Sequence, residues 1–382
     1  IHSNRMIKAD KNARICLTPD CDVLMFRNTE TKDGTHFPIP ETASKNTNIS
    51  IDGGIWEESR KERLGYGKSG KYDKDRSYYG VSTCMFFNNI ENLILTNMTF
   101  VHTAGFAVQV GDIKNALFEN ITFVECFADG LHINGNSENL IIRNILGDVG
   151  DDLVALNLYD WQDSSVNFGP SKNILCENLK LLDKCNYPAM RIEPGTYFYD
   201  DGSKVDCSLQ RTIIKNVEGI RTFKMYYQTP PYELNKSPEK GEVGSCDYIF
   251  FDNIKIDLTA PIDMLEPYTR GDEIRGTFAA FELGANIGHL SFENIDLKLY
   301  KDKYPLSYFL CIGPKSVLID GHTEIFDPYL SSLLNELHLK NIYINGKKAE
   351  DFSPLLREIS FDNINDDGFS TGKGIIKVLK SH

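Results

Sequence analysis

Three aspartates in the first half of the chain have the residue type and spacing that acid–base chemistry needs. Asp129 precedes one short apolar segment, and the adjacent pair Asp151 and Asp152 precedes the next one, 22 residues further on (151 − 129 = 22). Cleaving a glycosidic bond needs one protonated carboxyl group to donate to the leaving oxygen and one carboxylate to activate water, about 6.5 to 9.5 Å apart in inverting enzymes. A single aspartate here is more simply a turn cap after Gly147 and Gly150. Three converging carboxylates favour the catalytic interpretation.

The elements that would position these carboxylates are visible as an internal repeat. The pattern apolar-x-apolar-polar-Asn-apolar occurs nine times, from LILTNM (93–98) to ISFDNI (359–364). The shortest steps between copies are 22 to 24 residues, too short for a helical pair and typical of a coil of three short strands. Stacked coils pair each strand with its counterpart about 4.8 Å away. The sequence therefore predicts an all-β fold, a single-stranded right-handed parallel β-helix, as one domain over 1–382.

A leucine-rich repeat is the competing explanation of this period, but the LxxLxL frame is absent and no helical pattern follows each strand. The repeated asparagine instead suits a tight bend, since Asn tolerates the left-handed backbone conformation and can hydrogen-bond its equivalent in the next coil. We interpret the Asn-x-Ser/Thr sequons at Asn97 and Asn120 as ladder positions rather than glycan acceptors. The nine ladder residues are Asn97, Asn120, Asn144, Asn178, Asn216, Asn253, Asn294, Asn341 and Asn363.

A second series of strands lies between the asparagines. In register these strands form one sheet, so that Asp129 is expected one rung from Asp151 and Asp152, within several Å. The carboxylates of this cluster should then interact strongly. The strands are GFAVQV (105–110), DGLHI (129–133), DDLVAL (151–156), PAMRIE (188–193) and FKMYYQ (223–228).

Composition excludes several other functions. The chain has 41 Lys+Arg against 54 Asp+Glu, a net charge of −13, and no basic run, so nucleic-acid binding is disfavoured. No apolar run approaches the roughly 20 residues that span a bilayer, and no signal segment opens the chain. We expect the chain to begin after such a segment has been removed.

Cysteine usage leaves the cellular compartment open. The nine cysteines show neither a CxxC pair nor zinc-ligand spacing. Most are expected to be buried small side chains. Two pairs are close enough in sequence to close a local loop, Cys16 with Cys21 and Cys185 with Cys207.

The order of ISIDGG (49–54), LILTNMTF, FAVQV, ADGLHI and GDVGDDLVALN resembles glycoside hydrolase family 28, the polygalacturonase-like β-helix enzymes, whose signature reads NTDG followed by GDD. The resemblance covers about residues 1–228 and is strongest from 90 to 158. It implies Asp151 as the general acid, and Asp129 with Asp152 as the pair that holds the attacking water. It also implies an N-terminal capping portion that this chain lacks. We expect no cofactor and no metal, and a secreted, periplasmic or cell-surface location.

The chain departs from the family pattern at several places. Phe127-Ala128 replaces the Asn-Thr of the signature, and His132 stands where the family has Asp. YPAMRIE (187–193) stands where the family has Gly-His-Gly. TFKMYYQ (222–228) stands where the family has the Arg-Ile-Lys that binds a uronate carboxylate. These departures concern the substrate more than the reaction.

The residues that replace the family's subsite are our candidate substrate-binding residues. Arg191 and Glu193 alternate onto one face of their strand, although a surface ion pair would explain them equally well. His132 is a candidate for tuning Asp151 or for sugar binding, with a purely structural histidine as the alternative. The full set is His132, Arg191, Glu193, Lys224 and Tyr226.

Aromatic residues cluster in the long segments that follow these strands, where sugar faces can stack on them. We expect these segments to wall a pocket, which favours exo action on chain ends. The residues are Tyr159, Trp161, Tyr197, Phe198, Tyr199, Tyr226, Tyr227 and Tyr232.

Three functions remain in competition, all with a carbohydrate as partner. An inverting, exo-acting glycoside hydrolase is the leading interpretation. A polysaccharide lyase on the same fold would use the carboxylates to hold Ca²⁺ and a Lys or Arg as base. A non-catalytic carbohydrate-binding β-helix or adhesin is the third. Because the uronate clamp is missing, a neutral or differently substituted glycan is the expected substrate.

Overall fold

The computed structural model describes residues 1–18, 24–28, 44–58, 83–159, 167–182, 188–198, 201–226, 244–259, 269–270, 273–274, 278–304, 307–312, 316–319, 322–325, 333–358 and 378–380. These residues divide into two compact units, Ile1–Cys185 and Asn186–His382. In the described ranges the only helical element is a 3-10 turn at Ser353–Leu355, and no helix there is long and apolar enough to cross a membrane. The predicted all-β, right-handed parallel β-helix is confirmed. The single domain over 1–382 stays a prediction.

The described residues of the first unit form twelve strands, which pair in parallel and make up three sheets. They are β1 (Arg5–Lys8), β2 (Arg14–Cys16), β3 (Phe26–Arg27), β4 (Asn46–Asp52), β5 (Ile55–Glu57), β6 (Met85–Thr96), β7 (Thr99–Val101), β8 (Val108–Cys126), β9 (Leu131–Ile133), β10 (Glu138–Val149), β11 (Val154–Asn157) and β12 (Ser171–Leu181). The long strands β6, β8 and β10 bend and contribute to more than one sheet.

Each sheet repeats one third of a coil. In the first sheet β1, β4, β6, β8, β10 and β12 follow one another. In the second, β2, β5 and β7 are followed by the end of β8 and the end of β10. The third sheet contains β3, the starts of β6 and β8, then β9 and β11. The strands that carry the predicted catalytic residues therefore belong to the third sheet.

Alternation of apolar and polar residues explains the inward faces of the strands. In β10, Leu140, Ile142 and Ile145 are buried while the residues between them are exposed or half-buried. Equivalent residues stack between coils, as Phe100 and Phe123 do with ring centroids 5.6 Å apart. Burying each such side chain stabilises the fold by about 1.5–3 kcal/mol.

The second unit repeats this construction. Its strands are β13 (Ala189–Glu193), β14 (Gly195–Phe198), β15 (Lys204–Cys207), β16 (Leu209–Glu218), β17 (Thr222–Tyr226), β18 (Ser245–Leu258), β19 (Thr269–Arg270), β20 (Glu273–Ile274), β21 (Phe278–Gly284), β22 (Asn286–Leu299), β23 (Ser307–Ile312), β24 (Ser316–Ile319), β25 (His322–Ile325), β26 (Leu334–Ile344), β27 (Lys347–Lys348), β28 (Leu356–Glu358) and β29 (Val378–Lys380). Parallel pairing links β13, β17, β21, β23 and β28, and also β16, β18, β22, β26 and β29. Stacked phenylalanines contribute to its core; the ring centroids of Phe251 and Phe292 are 5.3 Å apart and their planes are 14° apart.

The predicted asparagine ladder is confirmed for eight of its nine members, and Asn363 lies outside the described residues. All eight have a positive φ, between 52° and 57°. In the first unit Asn120 donates to Asn97 at 2.9 Å, and Asn144 donates to Asn120 at 2.9 Å. In the second unit one rung differs, because Asn294 donates to Asp252 at 2.7 Å. Asparagine at these bends thus satisfies both the backbone conformation and the side-chain hydrogen bonds.

A second ladder, which the sequence analysis missed, runs through the first unit five residues before the first one. It contains Asn4, Asn48, Asn92, Asn115, Asn139 and Asn173, all with positive φ. Its rungs are amide hydrogen bonds of 2.8 to 3.1 Å. The sequence indicates this second ladder by a recurring spacing of five residues, as between Asn92 and Asn97 or between Asn115 and Asn120.

Replacing Asn144 tests the ladder. We expect Asn144→Ala to lower the free energy of unfolding by about 3–4 kcal/mol, because the left-handed backbone costs alanine about 1–2 kcal/mol and two amide hydrogen bonds, with Asn120 and Asn178, are lost at about 1 kcal/mol each. Asn144→Gly keeps the backbone conformation and should lose only the hydrogen bonds. Urea unfolding of both variants measures the difference; equal losses would contradict the conformational argument.

The predicted cysteine pairings cannot be followed to both partners, since Cys21 and Cys185 lie outside the described residues. Cys126, Cys176 and Cys246 carry free, buried thiols, as expected. Burial raises the pKa of Cys126 to about 11 and that of Cys176 to about 12. These thiols therefore stay protonated and unreactive near neutral pH.

Candidate active site

The coil register brings Asp129 and Asp152 to equivalent positions of neighbouring coils. Leu131 of β9 pairs with Val154 of β11, and the backbone N–H of Gly130 donates to the carbonyl of Asp152 at 2.9 Å. One coil earlier the N–H of Ala107 donates to the carbonyl of Asp129 at 2.9 Å. Asp129 and Asp152, each two residues before a strand of the third sheet, therefore lie at equivalent positions of stacked coils.

The three aspartates converge as predicted. One carboxylate oxygen of each lies within 4.8 Å of the others. Asp129 is 1% exposed and Asp152 is fully buried, whereas Asp151 is only half-buried. Of the three, Asp151 is thus the side chain that a substrate can reach directly.

The nearest oxygens of the carboxylates lie closer together than the about 6.5 to 9.5 Å that we expect between the acid and base carboxyl groups. Oxygens within 4.8 Å of one another are as close as two neighbouring strands of a sheet. The reason is geometric, because Asp129 and Asp152 occupy stacked positions with no offset between their coils. The figure of 4.8 Å is the approach of single oxygens and not the separation of the carboxyl groups, so the expected separation stays a prediction. A single water can still bridge two oxygens that are up to about 5.4 Å apart, twice a 2.7 Å hydrogen bond.

Both oxygens of Asp129 accept hydrogen bonds inside the wall of the coil. His132 Nδ1 lies 2.6 Å from Oδ2, and the backbone N–H of Asp152 donates to Oδ1 at 3.1 Å. The imidazole itself is 1% exposed and stacks on Phe106, with ring centroids 4.0 Å apart and planes 14° apart. His132 is therefore placed against Asp129, in the same wall as the cluster.

Two glycines next to the aspartates are required by close approaches. A Cβ on Gly150 would lie 1.9 Å from the carbonyl oxygen of Phe127, and one on Gly130 would lie 2.5 Å from the ring of Phe123. The absence of a side chain lets the chain that carries Asp151 pass directly over the preceding coil. The glycine of the Gly-Asp-Asp element is thus a positional requirement.

Gly150→Ala should displace the carboxylates. Because the added methyl group overlaps a backbone carbonyl, we expect a loss of about 1–3 kcal/mol in the free energy of unfolding and, from a shift of about 1 Å at Asp151, a loss of about 10²-fold in kcat. Gly202→Ala is the control: its Cβ meets nothing within 4 Å, and its positive φ of 82° should cost about 1–2 kcal/mol of stability while activity stays unchanged. Thermal unfolding and turnover of both variants test this; full activity in Gly150→Ala would contradict it.

Behind Asp129 lies a chain of buried polar side chains that sequence reasoning did not single out. Thr83 Oγ1 donates to Gln109 Oε1 at 3.1 Å, Gln109 Nε2 donates to Asn134 Oδ1 at 3.0 Å, and Asn134 Nδ2 lies 3.2 Å from His132 Nε2. All four residues are at most 1% exposed. Gln109 and His132 stand opposite each other in the sheet. The feature of the sequence that indicated this chain was Gln109, a polar residue in the otherwise apolar segment GFAVQV (105–110).

The second unit places the remaining predicted residues on its own sheet. Arg191 of β13 stands opposite Lys224 of β17, and Lys224 stands opposite Glu282 of β21. Glu193 is fully buried and Lys224 is 4% exposed. The alternative of a surface ion pair is therefore wrong for Glu193, because its carboxylate is not at the surface. Glu282 is an acidic neighbour of Lys224 that the sequence analysis missed.

Several aromatic candidates cannot be placed. Trp161, Tyr199, Tyr227 and Tyr232 lie outside the described residues, as do the side chains of Tyr226 and Phe198. Tyr159 is half-buried and its ring lies 5.7 Å from that of Phe168. Tyr197 is half-buried in the hairpin of β14 and β15. The pocket wall that these residues suggested stays a prediction.

No protein-family model and no curated protein matches the chain. Among solved structures, similarity is found to an endo-xylogalacturonan hydrolase from Aspergillus tubingensis, with 12% identity over 99% of this chain and 91% of that chain and a TM-score of 0.45. The catalytic domain of a GH87 α-1,3-glucanase in complex with nigerose matches with 13% identity over 92% of this chain and a TM-score of 0.43. A surface adhesin of Streptococcus pneumoniae matches with 12% identity over 94% of this chain and 82% of that chain, at a TM-score of 0.42.

The chain spans 63% of the length of the glucanase chain that it matches. These similarities are too distant to assign a family or a substrate. Membership of glycoside hydrolase family 28 stays a prediction.

Proposed function

We propose that this protein is a glycoside hydrolase that acts by single displacement with a water molecule. The observation that supports this most directly is the cluster of Asp129, Asp151 and Asp152, in which three carboxylates lie within 4.8 Å and only Asp151 is partly exposed. A buried carboxylate cannot touch the anomeric carbon of a sugar, whereas it can hold a water that does. The cluster thus offers one group for the substrate and two for the water.

The reaction follows from this division. The protonated carboxyl group of Asp151 gives its proton to the glycosidic oxygen as the bond between that oxygen and the anomeric carbon breaks. The oxygen of the water held by Asp129 and Asp152 forms the new bond to the anomeric carbon, and one of these carboxylates takes the water's proton. The product then has the inverted anomeric configuration.

The close approach of the carboxylate oxygens by itself would suit a double displacement, in which the carboxyl groups are about 5–5.5 Å apart. The burial of Asp129 and Asp152 supports the water mechanism instead. Proton NMR at early reaction times distinguishes the two, since inversion and retention give opposite anomers as first product. A retained anomer would refute the water-holding role.

A polysaccharide lyase is the second candidate, because three carboxylate oxygens within 4.8 Å also resemble the oxygen ligands of Ca²⁺. A lyase would lose activity on chelation and would release unsaturated products. A hydrolase with the proposed mechanism should keep its activity in EDTA. Incubation with a panel of plant and host glycans, read out by reducing sugars, by ultraviolet absorbance and with or without EDTA, separates both from a non-catalytic binding protein, which releases nothing.

Exo action and an extracellular or cell-surface location are part of the same proposal. Tyr159, which is half-buried and follows β11 in the same unit as the carboxylates, offers an aromatic ring on which a terminal sugar can stack. Product analysis tests this: an exo-acting enzyme releases one small product from the start, whereas an endo-acting enzyme first gives a mixture of lengths.

Unmodified polygalacturonan should be a poor substrate. A uronate carboxylate in a desolvated subsite needs a fixed cation. Both candidate cations have an acidic neighbour, since Glu193 lies two residues after Arg191 on β13 and Glu282 of β21 stands opposite Lys224. We expect neutral oligosaccharides to be cleaved at least 10-fold faster in kcat/KM. Rapid release of galacturonic acid that Arg191→Ala abolishes would show that this inference is wrong.

A further inference from the structure

The hydrogen-bond pattern around His132 fixes which of its nitrogens carries a proton. Asn134 Nδ2 donates to the carbonyl of Asn157 at 2.9 Å, and Asn134 Oδ1 accepts from Gln109 Nε2 at 3.0 Å. If the Asn134 amide were rotated by 180°, its Nδ2 would face Gln109 Nε2, so that two donors would meet. Its Oδ1 would then face the Asn157 carbonyl, so that two acceptors would meet. The amide therefore presents its N–H₂ group to His132 Nε2, 3.2 Å away.

The orientation of Gln109 is fixed in the same way. Because Asn134 Oδ1 is an acceptor, the donor Nε2 of Gln109 must be the atom that faces it, 3.0 Å away, and Gln109 Oε1 then accepts from the hydroxyl of Thr83 at 3.1 Å. A donor facing His132 Nε2 requires that this nitrogen be an acceptor without hydrogen. The proton of the neutral ring must then be on Nδ1, which lies 2.6 Å from Asp129 Oδ2.

We infer that His132 is a neutral, fixed-tautomer hydrogen-bond donor that positions the carboxylate of Asp129, and that it is not a proton carrier. This rests on the proposed function, in which Asp129 helps to hold and deprotonate the water. In a catalytic triad the second nitrogen of the histidine is open to the reacting groups and accepts their proton. Here the second nitrogen faces the amide of Asn134, and Phe106 covers the ring.

The consequence for Asp129 follows from charge. A positively charged imidazolium would form an ion pair with Asp129 and reduce the tendency of the carboxylate to take a proton. A neutral donor orients the same carboxylate and leaves its negative charge available for the water. The polar chain from Thr83 to Asn134 thus serves to keep His132 neutral.

The tautomer can be measured without any substrate. In protein labelled with ¹⁵N-histidine, we expect the His132 resonances near neutral pH to show Nδ1 with hydrogen and Nε2 without it; His132→Asn assigns the signal among the eight histidines. A ring with hydrogen on Nε2, or on both nitrogens, would overturn the inference. Because the readout needs no turnover, it is independent of whether the proposed hydrolysis is correct.

Activity then tests the positioning role. His132→Leu removes the donor and should lower kcat by about 10²-fold with little change in KM. His132→Asn can place an N–H near the position of Nδ1 and should recover at least 10-fold of that loss. His102→Asn is the matched control, since His102 contacts Glu57 and Glu125 at the second sheet and should leave activity unchanged. Full activity in His132→Leu, or no recovery in a folded His132→Asn variant, would overturn the role.

Discussion

Asp151→Asn should lower kcat by about 10²–10⁴-fold on any glycan that the protein cleaves, because the amide has the shape of the carboxyl group and no proton to donate to the leaving oxygen. The fold should be unaffected, since Asp151 is half-buried at the mouth of the cluster. Initial rates together with thermal unfolding of the variant measure both effects.

Two comparisons make this result specific. Asp148→Asn changes a half-buried carboxylate three residues earlier in the same segment and should keep full activity. Substrates with a good leaving group, such as aryl glycosides, need less protonation and should be cleaved by Asp151→Asn with a much smaller loss. Substantial activity of the variant on natural glycans would move the acid to another residue.

Asp129→Asn should be impaired by on the order of 10³-fold in kcat, and it should also be less stable than the parent. The two oxygens of Asp129 accept from His132 and from the N–H of Asp152, but an amide has only one acceptor oxygen. One buried donor therefore loses its partner, at a cost of about 1–3 kcal/mol. Asp151 is half-buried rather than buried, so Asp151→Asn should cost less stability, and the two variants should differ in urea unfolding.

Binding separates the roles further. Since Asp129 is 1% exposed, its replacement should leave KM, or the affinity for an inhibitor measured by calorimetry, within a few-fold of the parent. Asp152→Asn should behave similarly in turnover. An Asp129→Asn variant that turns over at the parental rate would show that the water is held elsewhere.

The fold could be predicted from the sequence because its main determinant is local and repeated. Each Asn of the ladder marks a bend by its backbone preference alone, and the spacing of 22 to 24 residues sets the coil. The convergence of Asp129 with Asp151 and Asp152 followed from the same register. The second ladder was missed only because its members lie in segments of less uniform apolar pattern.

The details of the site could not be predicted in the same way. The distance between the carboxylates depends on whether the coils are offset, and no local pattern reports the offset. The partner of His132 depends on a chain of side chains from three strands, and its tautomer depends on the orientation of the Asn134 amide. The burial of Glu193 depends on what covers the outer face of its strand, which the sequence of that strand does not contain.

The regular bend at the ladder also determines where such a protein can change during evolution. In β8 and β10 the chain passes the ladder residues Asn120 and Asn144 without interruption of the strand, so every coil has the same length there. The longer step from Asn144 to Asn178 comes instead from the segment between β11 and β12, which follows the third sheet and its carboxylates. New binding segments can therefore be inserted or exchanged beside the catalytic residues while the stacking of the coils is retained. Substrate preference is then the property of such proteins that can diverge fastest, and loop exchange is the natural route to redesigning it.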